Sequence, residues 1–420
     1  MGKVIRDPIH NIIEVEDDVL ELIDTYAFQR LRRIRQLGVA WLVYPSAEHS
    51  RFTHSLGVYE MSKRVIQALK RNSSHFTLHE DEEKLITTAA LLHDIGHGPF
   101  SHMLEGAIKN LGGHFEHEEM STRIILECPE INARLQRFGT DFPARVCQVL
   151  QKKYPSTHVA SVISSQFDAD RIDYLLRDSY MTGANYGKFD VDWLLRNISI
   201  ETATFTPVKG QTVVGINHKK GLNVLEQYLL GRHYMYIHVY YHKVIRSFEA
   251  IVNNLIKRIL EKEHKKLAGY KVIDALFNST ISIEDYLQLD DFVMMSWFNE
   301  WYTCNKVKDP VLRKLLEYFF CRVPLKVILP PQEPIAYNKK KEEVLKQYFS
   351  DDEKKYFFYE DSSQNVAYKD LYNARDVLDE IFVCKEEDEI VPLSALDDSI
   401  IKQASKTLKK DTIRWYVKPE

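Results

Sequence analysis

Residues 87–102, TTAALLHDIGHGPFSH, crowd three imidazoles and a carboxylate into one short stretch. Ala89, Ala90, Leu91 and Leu92 are small and apolar and suit a buried helix that delivers His93 and Asp94 side by side. Gly96, Gly98 and Pro99 break that helix, and His97 and His102 fall at the break. A His-Asp pair alone carries little information, since 16 histidines produce about one by chance. The setting is what matters. A carboxylate in an apolar helix is costly unless paired or metal-bound. Asp170 lies in a second apolar segment, and His54 opens a third helix. Two imidazoles and two carboxylates suit a borderline divalent ion such as Mn, Fe, Zn or Ni better than thiolate or all-oxygen chemistry. Four protein ligands leave an octahedral ion open positions for water and a phosphate oxygen.

On a helix, Asp170, Tyr174, Arg177 and Asp178 share one face, with Arg171 beside it. A carboxylate, a phenol and guanidinium groups on one surface suit a metal-bound polyphosphate carrying a polar sugar. An ordinary ion-paired helix has the same pattern. His97, His102 and His117 are then left over, and imidazoles beside a metal suit proton transfer. Phosphate-ester hydrolysis needs an activated water and a protonated or neutralised leaving group, tasks that a metal and histidines divide.

The elements that must position these groups read as mainly helical. Residues 3–16 form two short strands turned at Asp7-Pro8. A helix is expected over 17–37, with Arg30, Arg32, Arg33 and Arg35 among its apolar positions. Further helices are expected from His54, from 87 to the break at Gly96, from about 115, and over 157–179. Residues 197–205 and 212–217 read as a β-hairpin, and a tyrosine-rich helix runs from 222 to 262. The proline-rich stretch 327–338 is the expected linker between a core over 1–326 and a small α+β lobe over 327–420.

Composition narrows the class. With 45% hydrophobic and 28% charged residues the chain is a soluble globular type. A net charge of −4 gives no global attraction to nucleic acid or anionic membrane. There is no apolar run of membrane-spanning length and no signal-peptide core. Five scattered cysteines without a C-x-x-C pair read as reduced thiols in a cytoplasmic protein.

Taken together, DPIH at 7–10, IDTYAFQRLRRIRQLG at 23–38, HSRFTHSLGVYE at 49–60, LLHDIGHGPFSH at 91–102, FEHEE at 115–119, DADRIDYLLRD at 168–178 and, more weakly, YYHK at 240–243 carry a pattern. In that order they resemble the HD-domain deoxynucleoside triphosphate (dNTP) triphosphohydrolases, and among them the bacterial relatives of the vertebrate sterile-alpha-motif/HD enzyme. The resemblance implies an HD-domain helical core with one divalent metal (Mn, Fe, Mg, Zn or Ni) held by His54, His93, Asp94 and Asp170. Further Mg would travel with the nucleotide phosphates. It implies phosphate contacts from Arg51, His97, His102, Arg171, Tyr174 and Arg232, with His117 as the main proton-transfer group. Gln36 and Asp178 would bind the sugar 3′-hydroxyl, while Leu37 and Tyr240 would crowd the 2′ position. Water would attack the α-phosphorus, releasing a deoxynucleoside and triphosphate. Asp24, Gln29 and Arg32 match positions that read a guanine effector at a subunit interface, which implies a nucleotide activator and a homotetramer, with a dimer as the alternative.

The chain departs from the vertebrate pattern in two places. Tyr241 replaces a glutamine near the base, so base preference does not carry over, and Arg171 replaces a lysine at a phosphate. Two other readings compete: an HD phosphohydrolase for a ribonucleotide or signalling nucleotide, and a nucleotide-sensing scaffold with a vestigial site. Nucleic acid is not the expected main ligand.

Overall fold

Glu80, Asp81, Glu82 and Glu83 set four carboxylates at the positive end of a helix dipole, and Leu85 to Leu92 behind them are all buried. This helix, Glu80–Leu92, is buried all round at its C-terminal end, as its run of small and apolar residues predicts. In this computed structural model the residues described are 2–73, 76–155, 162, 167–202, 212–262, 264–303, 307–348, 350–363, 381–385, 389–401 and 412–419. The helices used below are α1 (Asp17–Ile23), α2 (Tyr26–Gln29), α3 (Arg51–Asn72), α4 (Glu80–Leu92), α5 (His102–Asn110), α6 (His117–Glu127), α7 (Pro129–Leu135), α8 (Phe142–Leu150), α9 (Ala169–Thr182), α10 (Val191–Asn197), α11 (His218–Met235) and α12 (Lys243–Glu261). More helices follow between Tyr270 and Phe357. The fold is mainly α, as expected.

Strands β1 (Lys3–Asp7) and β2 (Asn11–Val15) form the first hairpin, turned at Pro8–His10. Strands β3 (Ile198–Thr202) and β4 (Thr212–Asn217) form the second, whose turn lies outside the described residues. Near the C-terminus come β5 (Lys326–Ile328), β6 (Tyr359–Ser363), β7 (Phe382–Cys384), β8 (Ile390–Pro392) and β9 (Thr412–Val417). One sheet has the order β3-β4-β7-β8, with β4 and β7 parallel, and the other the order β5-β9-β6. Strands from both sides of residue 326 therefore share hydrogen bonds.

Several elements depart from the sequence expectation. The helix over 17–37 is broken. Thr25 stops α1, its hydroxyl donating to Leu22 O at 2.7 Å, and then caps α2 by accepting from Phe28 N. A 3-10 turn, Arg30–Arg33, follows. α3 starts at Arg51, so His54 sits in its first turn. α9 starts at Ala169, not at 157, because Asp168 caps it by accepting from Arg171 N at 2.7 Å; of residues 157–166 only Val162 is described. The tyrosine-rich helix is two helices, since α11 runs into a π turn, Tyr236–Tyr240, and the chain restarts at His242, the cap of α12. The expected linker begins inside β5, which pairs with β9, and Pro334 opens a helix where its missing N–H costs nothing.

α3 packs against α4 and α9. One glycine makes the α3–α9 approach possible: a Cβ at Gly57 would lie 2.0 Å from Asp173 Oδ1 and 2.3 Å from Arg177 Nη2. α3 and α9 carry two of the expected metal ligands, and the other two, His93 and Asp94, follow directly on the end of α4. Among the described residues no helix is long and apolar enough to cross a membrane. Cys128, Cys147, Cys321 and Cys384 are free thiols, and Cys304 lies outside the described residues.

Candidate active site

The end of α4, the first turns of α3 and α9, and the α4–α5 turn meet at a cleft of about 840 Å³. His54 Nε2 lies 3.0 Å from Asp170 Oδ1 and 3.9 Å from Asp94 Oδ2. His93 Nε2 lies 3.3 Å from Asp94 Oδ1 and 3.7 Å from Asp170 Oδ1. The donor atoms of His54, His93 and Asp94 all fall within 4.8 Å of one another. His93 Nδ1 faces Ala90 O at 2.8 Å, so it must carry the proton, and Nε2 presents its lone pair. That Nε2 is buried and has no hydrogen-bond partner among the described residues. An orphaned imidazole lone pair aimed at two carboxylates and a second imidazole fits a divalent cation. Burial pulls the His54 pKa down, but Asp170 and Asp173 outweigh it and hold it at about 10, so without a cation a proton occupies this ring.

Behind His54 is a support that sequence reading missed. His54 Nδ1 is 2.8 Å from Asp173 Oδ2, and His10 Nε2 is 2.6 Å from Asp173 Oδ1. Arg177 donates to both Asp173 oxygens at 2.9 Å and to Asp7 at 2.8 and 3.2 Å. Arg177 is therefore turned into the core and does not face the cleft; the expected phosphate face loses that guanidinium. A carboxylate behind a ligand imidazole fixes its tautomer and raises its basicity. Asp173→Asn is expected to weaken metal affinity about 10- to 100-fold, which metal titration followed by calorimetry will read.

The three remaining histidines form a second group. The rings of His97 and His117 stack at 3.9 Å, and His102 lies 5.0 Å from His97 and 5.1 Å from His117. Gly96 allows this, since a Cβ there would sit 2.2 Å from both His117 O and Ser121 N. Phe100 and Ser101 take positive φ values of 55° and 56° in the turn between His97 and His102. Buried contacts hold that strain: Phe100 N donates to Asp291 at 2.8 Å, and Ser101 Oγ accepts from Arg51 at 3.0 Å. Arg30 Nη2 donates to His97 O at 2.9 Å, so one arginine of the basic segment is a buried brace. His117 Nδ1 lies 2.7 Å from Glu105 Oε2. Burial pushes Glu105 up, but His117 and Lys109 outweigh it and hold it at about 2.

His102 is exposed to the cleft, yet crowding by the cleft walls, and then the Arg51 charge, lowers its pKa to about 4. Burial and Arg51 depress His97 too. Both rings are neutral at pH 7. A folded-state pKa below the unfolded value of about 6.5 means that the unfolded chain binds the extra proton. His102 thus costs stability progressively as pH falls from about 6.5 to about 4. The melting-temperature gap between His102→Gln and wild type is expected to widen in favour of the variant on acidification from pH 7 to 4.5, as thermal melts will show.

At the other end of the cleft the chain builds a polar wall. Tyr240 OH donates to Asp178 Oδ2 at 2.7 Å, and His49 Nε2 is 2.7 Å from Asp178 Oδ1. Gln36 N donates to His49 O at 3.0 Å, while Gln36 Oε1 is buried without a hydrogen-bond partner among the described residues. Burial, then the Asp178 charge, raises the Tyr240 pKa well above its usual value, so the phenol stays a donor. Leu37, Arg171, Tyr174 and Arg232 also line the cleft. Arg171 pairs with Asp168, whose pKa burial raises to about 7 against that charge. Arg51 donates to Asp94 at 2.5 Å.

The structure brings together at this cleft every expected metal, catalytic and substrate residue. Asp24, Gln29 and Arg32 do not line it. They gather elsewhere, with Arg32 Nε donating to Gln29 Oε1 at 2.8 Å and Asp24 supporting the Arg32 charge against desolvation. Sequence reading missed His49, Glu105, Asp173 and His10 as site residues. His10, His49 and Asp173 lay inside the motifs that carry the resemblance, but Glu105 carries no local signal beyond a charged residue on a helix.

The HD domain model matches residues 51–142. Uncharacterized protein YwfO of Bacillus subtilis is 38% identical over 327 residues, covering 76% of this chain and 70% of that protein. The deoxynucleoside triphosphate triphosphohydrolase SAMHD1 of Danio rerio is 28% identical over 323 residues, and this chain spans 50% of its length. A SAMHD1 homologue of Dictyostelium discoideum is 36% identical over 190 residues, 37% of its length. The crystal structure of a phosphohydrolase from Bacteroides thetaiotaomicron superposes with a TM-score of 0.79 at 26% identity over 99% of both chains.

Proposed function

This chain belongs to the HD-domain family that includes the SAMHD1 dNTP triphosphohydrolases, and from that premise we propose that it hydrolyses dNTPs to a deoxynucleoside and triphosphate. Membership of the family supports a phosphohydrolase acting on nucleotides; the deoxy preference and the bond cleaved are the proposal. One observation carries it: Gln36, Leu37, Asp178 and Tyr240 line the same cleft as the metal-binding set and the three histidines. A plain phosphatase needs no such polar wall beyond the phosphates.

His54, His93, Asp94 and Asp170 would hold the divalent cation. When bound, such an ion activates water and neutralises phosphate charge. Arg51, Arg171, Tyr174 and Arg232 bind the triphosphate, with His97 and His102 beside it as neutral hydrogen-bonding groups. Gln36 and Asp178 hold the 3′-hydroxyl. Leu37 and Tyr240 fill the space that a 2′-hydroxyl would need. Water attacks the α-phosphorus, the bond from phosphorus to the 5′-oxygen breaks, and His117 supplies the proton to that oxygen with Glu105 orienting its ring. The products separate as deoxynucleoside and triphosphate.

Asp24, Gln29 and Arg32 form a second nucleotide site in this reading, completed by another subunit of a homotetramer. The 1–326 core carries the chemistry, and the protein works in the cytoplasm. The test is a panel of the four dNTPs and four NTPs, singly and mixed, with Mn or Mg and chromatographic identification of products. Intact triphosphate from dNTPs is the expected result, and stimulation of one dNTP by another would support the effector site. Pyrophosphate or monophosphate as the sole inorganic product, or equal use of NTPs, would overturn the reading in favour of another HD phosphohydrolase. Stable binding without turnover would leave a sensor.

A further inference from the structure

The π turn Tyr236–Tyr240 is tied to the C-terminal sheet by a closed ring of contacts. It presents two residues to the cleft, Tyr236 and Tyr240, and Tyr240 makes the bond to Asp178. The helix breaks immediately after it, at Tyr241. Carbonyls at a helix end have no helical partner. The Tyr241 carbonyl finds one in β9, where Arg414 Nη1 donates to it at 2.6 Å. Across the β6–β9 pair Arg414 stands opposite Asp361. Asp361 is buried and accepts a two-pronged ion pair from Arg246 of α12, at 3.0 and 2.8 Å. The Arg246 guanidinium lies 5.3 Å from the centre of the Tyr241 ring, and that ring packs on Tyr236 at 4.3 Å. Two-pronged arginine–carboxylate pairs are directional as well as strong. The ring therefore fixes both sides of the break, and the π turn cannot shift without breaking one of its members.

We propose that Arg414 is a positioning residue for the nucleotide sugar, and that the C-terminal sheet, through Arg414 and Asp361, sets where Tyr240 stands against Asp178. This gives the C-terminal segment a part in selecting the substrate although none of its described residues lines the cleft. The inference rests on the reading of the cleft as a dNTP site. It places the effect of Arg414 on substrate fit, not on the chemical step, because Tyr240 meets the sugar side of the cleft and not the metal-binding set.

The experiment uses the full-length, metal-loaded protein with Arg414→Ala and Arg414→Lys. Hydrogen exchange at the amides of residues 236–242 reports on the ring without any nucleotide. In Arg414→Ala, exchange there is expected to be about tenfold faster with α3, α4 and α9 unchanged, and bound metal equal to wild type. The KM for the best dNTP should rise about tenfold with kcat within about twofold, and the preference for dNTP over NTP should fall. Lys keeps a donor and should restore part of both effects. Should Ala disturb the sheet, the isosteric Asp361→Asn weakens the same ring and is expected to move the same readouts in the same direction. Unchanged exchange, or faster exchange with unchanged KM and unchanged sugar preference, would overturn the proposal and leave Arg414 with a structural role. A wild-type protein that cleaves no dNTP fails the functional reading first. The sugar role then falls with it, while the exchange data still decide whether the ring holds the turn.

Discussion

Asp94→Asn is expected to empty the metal site and lower turnover by at least about 1,000-fold, about 4 kcal/mol of barrier. The carboxylate stands at the centre of the site. Its oxygens lie 2.5 Å from Arg51, 3.2 Å from His97, 3.3 Å from His93 and 3.9 Å from His54. Burial would push its pKa up, but Arg51, His93 and His97 together hold it well below the usual carboxylate range. An amide of the same shape keeps the packing and loses the charge. The buried Arg51 then has no counter-ion at this position, and an unpaired buried charge costs up to about 3–5 kcal/mol. Asp94→Asn should therefore also melt earlier than wild type. Asp170→Asn separates the two effects, because the Asp170 side chain is 36% exposed and makes its closest contact with His54, not an arginine. It should lose the metal with a much smaller drop in melting temperature. Elemental analysis, turnover and thermal melts read all three quantities. A full equivalent of metal and normal turnover in either variant would move the ion elsewhere.

His117→Ala is expected to lower kcat by about 10²- to 10⁴-fold while the metal content stays at the wild-type level. In the proposed mechanism His117 supplies the proton, and its neighbours are consistent with that assignment. Burial, and the nearby Arg51 charge, keep His97 and His102 neutral, so neither holds a proton to give at pH 7. His117 alone of the three faces a carboxylate that stays ionised to about pH 2, Glu105 at 2.7 Å. That partner fixes the orientation of the ring. Glu105→Gln keeps the hydrogen bond and removes the charge. It should cost kcat about tenfold. Loss of the metal in His117→Ala would transfer His117 from the chemistry to the scaffold of the site.

The residues that line the cleft were legible in the sequence; those that hold them in place were not. Asp94 could be singled out because a carboxylate at the end of an apolar helix needs a partner wherever that helix packs. Asp170, Tyr174 and Asp178 could be grouped because helical spacing puts them on one face. The same rule placed Arg177 on that face, and there it failed. Asp173 and Arg177 look like any i,i+4 surface pair, and only the absent side chain of Gly57 lets α3 come close enough to bury both. Their burial made His10 and Asp7, more than 160 residues earlier, the partners behind His54.

By itself the sequence determined which polar groups were candidates for the cleft, since helix periodicity and the cost of burying charge are local. Only the tertiary structure decided how they are held. The break after Tyr240 and the strained turn at Phe100 and Ser101 depend on contacts between distant segments. Such contacts follow from close packing, which local spacing does not encode.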